Sequence, residues 1–173
     1  MQARRRERFV SLYETHADRI LLYCLRHLAR ATAEDAVADV FLTAWRRLDD
    51  VPEEPAAWLY ATARNVIRNR YRAQATGIAT AERVARLQDL TADSAEVTAG
   101  RRADLATALG ALTDDEREAL LLTVWDGLSG AEAASVLGCT PGALRVRLHR
   151  ARQRMAAALH ETSPEFAWEG SPT

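Results

Sequence analysis

The chain predicts an all-α protein built as two small helical domains joined by a flexible linker. Apolar residues recur at helical spacing almost throughout, and no stretch alternates like a half-buried strand. Capping boxes, Thr113-x-x-Glu116 and Ser129-x-x-Glu132, stand ahead of apolar runs. The helical pattern weakens from about Ala73 to Ala103 into Ala, Thr, Gly and Asp, with Gly77 and Gly100 as breaks. A length of 173 residues suits one domain or two small ones. The expected boundaries are a first domain at 5–75, a linker at 76–103, a second domain at 104–160 and a disordered tail at 161–173.

The first helix is expected from about Glu7 to Ala29, with Phe9, Leu12, Tyr13, His16, Ile20 and Tyr23 near one side. Thr32 is a candidate cap for the second, whose inward stripe is Val37, Val40, Phe41, Ala44 and Leu48. Its outward face holds Asp35, Asp39, Leu42, Thr43 and Arg46. Asp49 to Pro55 is acidic and contains Pro52 and Pro55, so it reads as a loop. The third helix runs from about Ala56 to Arg72, with Leu59, Thr62, Ala63 and Val66 inward. Ala61, Arg64, Asn65, Arg68 and Arg72 lie outward, Tyr60, Ile67 and Tyr71 line one flank, and Trp58 lies beside Asn65 on the other. No acid occurs between Pro55 and Ala81, so this surface is basic and carries aromatics and asparagines. Unstacked bases stack on aromatic rings and pair with amides, which such a surface offers, although aromatics at helical spacing also build cores.

In the linker, Val84, Leu87 and Leu90 are spaced for one short helix. Leu105, Leu109 and Leu112 open the second lobe, and the Thr113 box precedes the run Ala119 to Trp125. Ser129 then opens a short helix that Gly138 ends, because glycine takes up a left-handed conformation without a Cβ clash. Thr140 is a good N-cap and Pro141 fits the first helical position, where its missing N–H costs nothing. Two helices joined by a short turn containing glycine make a helix-turn-helix.

The second helix of that pair carries the chemistry. From Pro141 to Met155 it has five arginines, one histidine and no acid. Leu144, Leu148, Ala151 and Met155 form one stripe, expected to face the partner helix. Arg145, Val146, His149, Arg150 and Gln153 lie opposite, with Arg152 at one margin and Arg147 and Arg154 at the other. Centre-line side chains of such a helix reach base edges in a major groove, and flanking arginines meet phosphates. A charge run is often only a solvated face, but that face would mix signs, and this one does not.

The net charge of −1 leaves nucleic-acid affinity to local patches rather than a global field. All 23 basic residues are arginine, the side chain whose planar fork matches phosphate and guanine. Cys24 and Cys139 form no C-x-x-C pair, and Cys24-x-x-His27 lacks a second ligand pair, so a buried Cys and half-buried His are expected rather than zinc. No metal site and no cofactor are expected. Arg4, Arg5, Arg6 and Arg8 are not followed by a signal-type apolar run, and no apolar run is long enough to cross a bilayer. A cytoplasmic chain without membrane insertion is expected.

The segments Ala33-Glu34-Asp35-Ala36-Val37 through Trp45-Arg46-Arg47-Leu48 and Trp58-Leu59-Tyr60-Ala61-Thr62-Ala63-Arg64-Asn65 closely resemble region 2 of bacterial sigma-70 factors. Leu112-Thr113 through Arg152, with Gly127-Leu128-Ser129 and Leu148-His149-Arg150-Ala151-Arg152, resembles their region 4. With only these two regions, the chain is similar to the extracytoplasmic function (ECF, group 4) class, over nearly all of residues 7–160. The resemblance implies a promoter-specificity subunit of RNA polymerase, with no enzymatic activity. Asp35, Asp39, Leu42 and Arg46 would dock on the clamp helices of the largest polymerase subunit, and the second lobe on the flap of the second-largest. Loop Asp49–Ala57 and Trp58, Arg64, Asn65, Arg68, Asn69 and Arg72 would hold the melted −10 strand. Thr140, Arg145, Val146, Arg147, His149, Arg150, Arg152 and Arg154 would read the −35 duplex. An anti-sigma factor is an implied partner, and the free chain is expected to be monomeric. Gly130 stands where the family commonly has an aromatic, and Val146 where a small polar residue is common, which favours an apolar contact such as a thymine methyl.

An autonomous helix-turn-helix regulator is the alternative. It leaves the basic-aromatic helix and the acidic face of the first lobe without a role, and no receiver domain or dimerisation element is visible. An enzyme would need a phosphate loop, nucleophile elbow or paired metal ligands, and none is present.

Overall fold

The computed structural model describes residues 2–74 and 99–162, and every regular element among them is helical. The expected short helix at Val84, Leu87 and Leu90 lies outside the described residues, as do Phe166 and Trp168 of the expected disordered tail. Compactness divides the chain into two units, Met1–Ile78 with Ala131–Cys139, and Ala79–Gly130 with Thr140–Thr173.

In the first unit α1 spans Gln2–His27, α2 Arg30–Arg46 and α3 Ala56–Gln74, with a 3-10 turn at Leu48–Asp50. The three helices pack mutually. Leu12, Ile20, Tyr23 and Cys24 of α1 are buried, with Val37, Val40 and Phe41 of α2 and Leu59, Tyr60, Ala63 and Ile67 of α3. Tyr23 and Tyr60 meet edge to face at 5.2 Å, a geometry set by the ring quadrupoles. The hydroxyl of Tyr71 donates to the His27 carbonyl, fastening α3 to the end of α1.

Three expectations are corrected here. The first helix begins at Gln2, five residues early, and ends at His27. Thr32 does not cap α2: Ala29 is the cap, extended and without a side-chain bond, and Thr32 sits inside the first turn. The inward face of α3 is rotated toward its flank, so Tyr60 and Ile67 are buried while Thr62 and Val66 are half-buried.

Two arginines tie the turn after α2 to α1. Arg5 donates to the Asp49 carboxylate at 2.9 Å and to the Trp45 carbonyl at 3.0 Å, and Arg8 to the Val51 carbonyl at 2.5 Å. Arg47 pairs with Asp50 at 3.0 Å. Asp49 and Asp50 are thereby held by basic partners within their own unit.

The second unit contains α4 (Ala99–Gly110), α5 (Asp114–Leu120), a π-helical turn at Leu121–Trp125, and α7 (Pro141–Thr162). Helix α5 starts as expected: Glu116 N–H donates to Thr113 Oγ1 at 3.3 Å, and Thr113 N–H to Glu116 Oε2 at 3.0 Å. Arg117 is buried and donates to the carbonyls of Leu109 and Leu112 at 2.8 Å each, satisfying the end of α4. Leu109, Leu112, Leu120, Leu121 and Ala151 form the core, with Leu105, Leu148 and Met155 packed against it. Leu148, Ala151 and Met155 of the α7 stripe thus pack with α4 and α5, where the spacing predicts the first helix of the pair.

The segment Ala131–Cys139 is grouped with the first unit. It holds most of α6 (Gly130–Leu137), in which Ala133, Ala134, Val136 and Leu137 are buried. Its end is a Schellman motif. Gly138 has φ +66°, its N–H donates to the Ser135 carbonyl at 3.2 Å, and Cys139 N–H donates to that of Ala134 at 3.0 Å.

Candidate nucleic-acid interface

Helix α7 is aimed by its cap and its buried stripe. Thr140 Oγ1 accepts from Ala143 N–H at 3.2 Å and its carbonyl accepts from Leu144 N–H at 3.0 Å, so the helix starts where the sequence places it. With Leu144 and Ala151 buried, Arg145, Val146, His149, Arg150, Arg152 and Gln153 stand in solvent on the other side. Val146 is 51 % exposed in the midst of arginines. The margin arginines are placed differently. Arg147 is half-buried and lies 3.8 Å from Asp115, and Arg154 donates to Glu116 at 3.1 Å. Spacing assigns both to phosphate and shows neither pair, since each partner comes from another helix.

Burial alone would raise the pKa of Glu116. Its bonds with Thr113 and the charges of Arg154 and Arg150 outweigh burial and hold the carboxyl below its ordinary range. The acid stays ionised beside the basic helix.

The second surface lies on α3. Asn65, Arg68, Asn69 and Arg72 are exposed and recur every three or four residues, so they form one stripe. Arg64 and Trp58 are half-buried, and Trp58 lies two turns before Asn65 on the same side. The other aromatics of the helix belong inside: Tyr60 is fully buried and Tyr71 is engaged with His27. The loop before α3 borders a cleft of about 480 Å³, lined by Val51, Glu53 and Pro55 and by Ser11, Thr15 and His16 of α1. Burial first, and Arg19 second, lower the pKa of His16, so its imidazole is neutral at pH 7. Sequence reasoning placed His16 on the packed side of α1 and did not see the cleft.

The third surface is the outward stripe of α2, where Asp35, Asp39, Leu42 and Arg46 are all exposed, Leu42 by 46 %. Asp39, although exposed, is paired within its own unit. Arg70 of α3 donates to it at 2.5 Å. Cys24 is buried, His27 half-buried and Cys139 half-buried, and no metal-holding group occurs among the described residues. No helix among the described residues is long and apolar enough to cross a membrane.

An arginine-rich face on the second helix of a helix-turn-helix is what a DNA-binding protein presents. Residues 12–76 match the family model for sigma-70 region 2, and residues 102–155 that for sigma-70 region 4. The chain is 34 % identical over 142 residues to the RNA polymerase sigma factor CnrH of Cupriavidus metallidurans, covering 75 % of this chain and 74 % of that protein. It is 31 % identical to the RNA polymerase sigma factor CarQ of Myxococcus xanthus, covering 92 % and 93 %. Among solved structures it is similar to CnrH in complex with the cytosolic domain of CnrY, at 30 % identity and TM-score 0.62, covering 90 % of this chain and 89 % of that one. The fold is also that of the sigma factor RpoE of Bartonella quintana, solved with the anti-sigma factor NepR, at 24 % identity and TM-score 0.60, covering 92 % and 98 %. The chain belongs to the sigma-70 family and is an ECF RNA polymerase sigma factor, a non-enzymatic subunit that directs transcription initiation.

Proposed function

We propose that this sigma factor reads the −35 element as duplex with α7 and the −10 element as melted strand with α3. The observation that carries the reading is the exposed set Arg145, Val146, His149 and Arg150, directly opposite the buried Leu144 and Ala151. These side chains meet base edges, Thr140 and Arg152 meet the backbone, and Arg147 and Arg154 lie at the wall of the groove. On α3, Asn65 and Asn69 offer amide donors and acceptors to unpaired bases, Arg64, Arg68 and Arg72 follow the phosphates, and Trp58 supplies a ring edge. The cleft beside loop 49–57 gives a flipped base polar walls from Ser11, Thr15 and the neutral His16.

Asp35, Leu42 and Arg46 form the docking surface for the clamp helices of the largest polymerase subunit, with Asp39 contributing through its pair with Arg70. The second lobe docks on the flap of the second-largest subunit. An anti-sigma factor covers these surfaces when the chain is held inactive, since solved relatives are bound to such proteins. The free chain is monomeric and works in the cytoplasm. Transcription with purified core polymerase on a promoter library tests the reading. Starts are expected only at promoters sharing one −35 and one −10 sequence. Salt-dependent operator binding with no transcript would instead make the chain an autonomous regulator.

A further inference from the structure

We propose that Glu116 sets the rotation of the duplex-reading helix through Arg154, which makes Arg154 a positioning residue rather than a phosphate ligand. The inference rests on the reading of α7 as the −35 helix.

The apolar stripe of α7 cannot fix that rotation alone. Leu148, Ala151 and Met155 meet a surface of leucines, and hydrophobic contact is non-directional. A polar contact at the edge of the stripe adds the direction that apolar contact lacks. A charge-assisted hydrogen bond is directional, and it loses strength as the donor swings away. Arg154 supplies one, its Nη1 lying 3.1 Å from Glu116 Oε2.

The acceptor is itself anchored. The same Oε2 accepts from Thr113 N–H at 3.0 Å, while Glu116 N–H donates to Thr113 Oγ1 at 3.3 Å. The Glu116 side chain is only 6 % exposed. Next to it Arg117 is fixed to the carbonyls of Leu109 and Leu112 and to Asp114. Arg154 therefore reaches a carboxylate that cannot follow it without opening the cap of α5. Two helical turns away Arg147 stands 3.8 Å from Asp115, a looser ion pair on the same edge of α7. Residues seven apart share a helix face, and Asp115 and Glu116 are consecutive on α5. The directional contact along that edge is the Arg154 bond.

An ionised acid beside a helix that approaches phosphates opposes DNA binding by its charge. Electrostatics alone therefore predict that removing Glu116 improves binding, whereas a positioning role predicts the opposite. Base-edge contacts need donor and acceptor aligned, and phosphate contacts tolerate more movement. A helix that rolls should lose sequence preference before it loses affinity for DNA in general.

Holoenzymes carrying wild type, Glu116→Gln, Arg154→Ala or both changes are compared on promoters randomised at −35, with closed-complex affinity measured across a salt series. Gln keeps the capping geometry, so Glu116→Gln folds, and Arg154→Ala leaves the cap untouched. The best −35 sequence should lose about tenfold of its advantage with Arg154→Ala, the size of one impaired base contact, and a smaller part with Glu116→Gln, whose amide oxygen still accepts from Arg154 without the charge. The salt slope should stay at the wild-type value, and the double variant should be no worse than Arg154→Ala alone. The proposal is overturned if Arg154→Ala weakens every sequence alike and lowers the slope by about one, the mark of a lost phosphate contact. It is equally overturned if Glu116→Gln tightens binding to all sequences. Wild-type holoenzyme showing no −35 preference would overturn the reading of α7 itself, an outcome distinct from a wild-type preference that both variants retain.

Discussion

Burial changes the chemistry of Cys24 in a way that can be read in solution. Its thiol is fully buried between the helices of the first unit, and burial pushes its pKa from 9.0 up to about 12, against the smaller pull of Arg26 and Arg70. A pKa raised on folding stabilises the fold fully below the unfolded value and loses that contribution as pH rises through the folded one. Stability should therefore fall between about pH 9 and 12, and more steeply in wild type than in Cys24→Ala, as chemical denaturation along an alkaline series would show. Parallel curves would mean that the thiol takes no part in the alkaline limb. The acids of α2 give a second residue-scale test. Asp35 is exposed, whereas Asp39 is paired with Arg70. Asp35→Arg should weaken core-polymerase binding and change stability by no more than about 0.5 kcal/mol, the usual range for an exposed site. Asp39→Arg sets two like charges together and should lower both affinity and melting temperature. An unchanged titration of core polymerase with the Asp35 variant would remove this face from the docking surface.

At the scale of elements, local signals were legible wherever one residue type has one physical use. Thr113-x-x-Glu116 gave the start of α5, Gly138 the end of α6 and Thr140 the start of α7, because caps and left-handed turns depend on near neighbours. Thr113→Ala should accordingly cost about 1 kcal/mol in denaturant unfolding, the usual value of a lost N-cap, with Thr113→Ser retaining most of it. Faces were legible to within a fraction of a turn. The outward stripe of α2 is as expected, but α3 is rotated so that Tyr60 and Ile67 enter the core, a shift that propensity cannot encode because it depends on Tyr23 across the bundle. The contacts of long side chains were not legible. Nothing in the spacing shows that Arg5 and Arg8 grip residues more than forty positions away, that Arg70 takes Asp39, or that Arg154 takes Glu116. An arginine run reads as a basic patch until the fold supplies its acids. The exposure of Arg145, Val146, His149 and Arg150 was legible because they lie opposite a buried stripe, whereas the contacts of the margin positions depend on what α5 presents.

At the scale of the molecule, the proposed function has the two basic surfaces act on successive steps of one process, and this sets how their defects should combine. The chain has a net charge of −1 and no lysine, so it offers DNA two local arginine surfaces rather than a general attraction. On that proposal the α7 surface acts while promoter DNA is still closed, and the α3 stripe acts once bases are unpaired. Arg150→Ala should reduce closed-complex affinity and relax one −35 position by about 1–3 kcal/mol, with the bound fraction melting normally. Asn65→Ala should leave closed binding near wild type and reduce melting, because the Asn65 amide has an acceptor and donor to offer only to an exposed base edge. Sequential equilibria multiply, so the double variant should show the product of the two defects in open complex formed. Permanganate reactivity of −10 thymines, measured alongside filter-retained closed complex, separates the steps. If Asn65→Ala instead lowers closed-complex affinity while bound promoters melt fully, α3 is a duplex contact and the division of labour between the two surfaces is wrong.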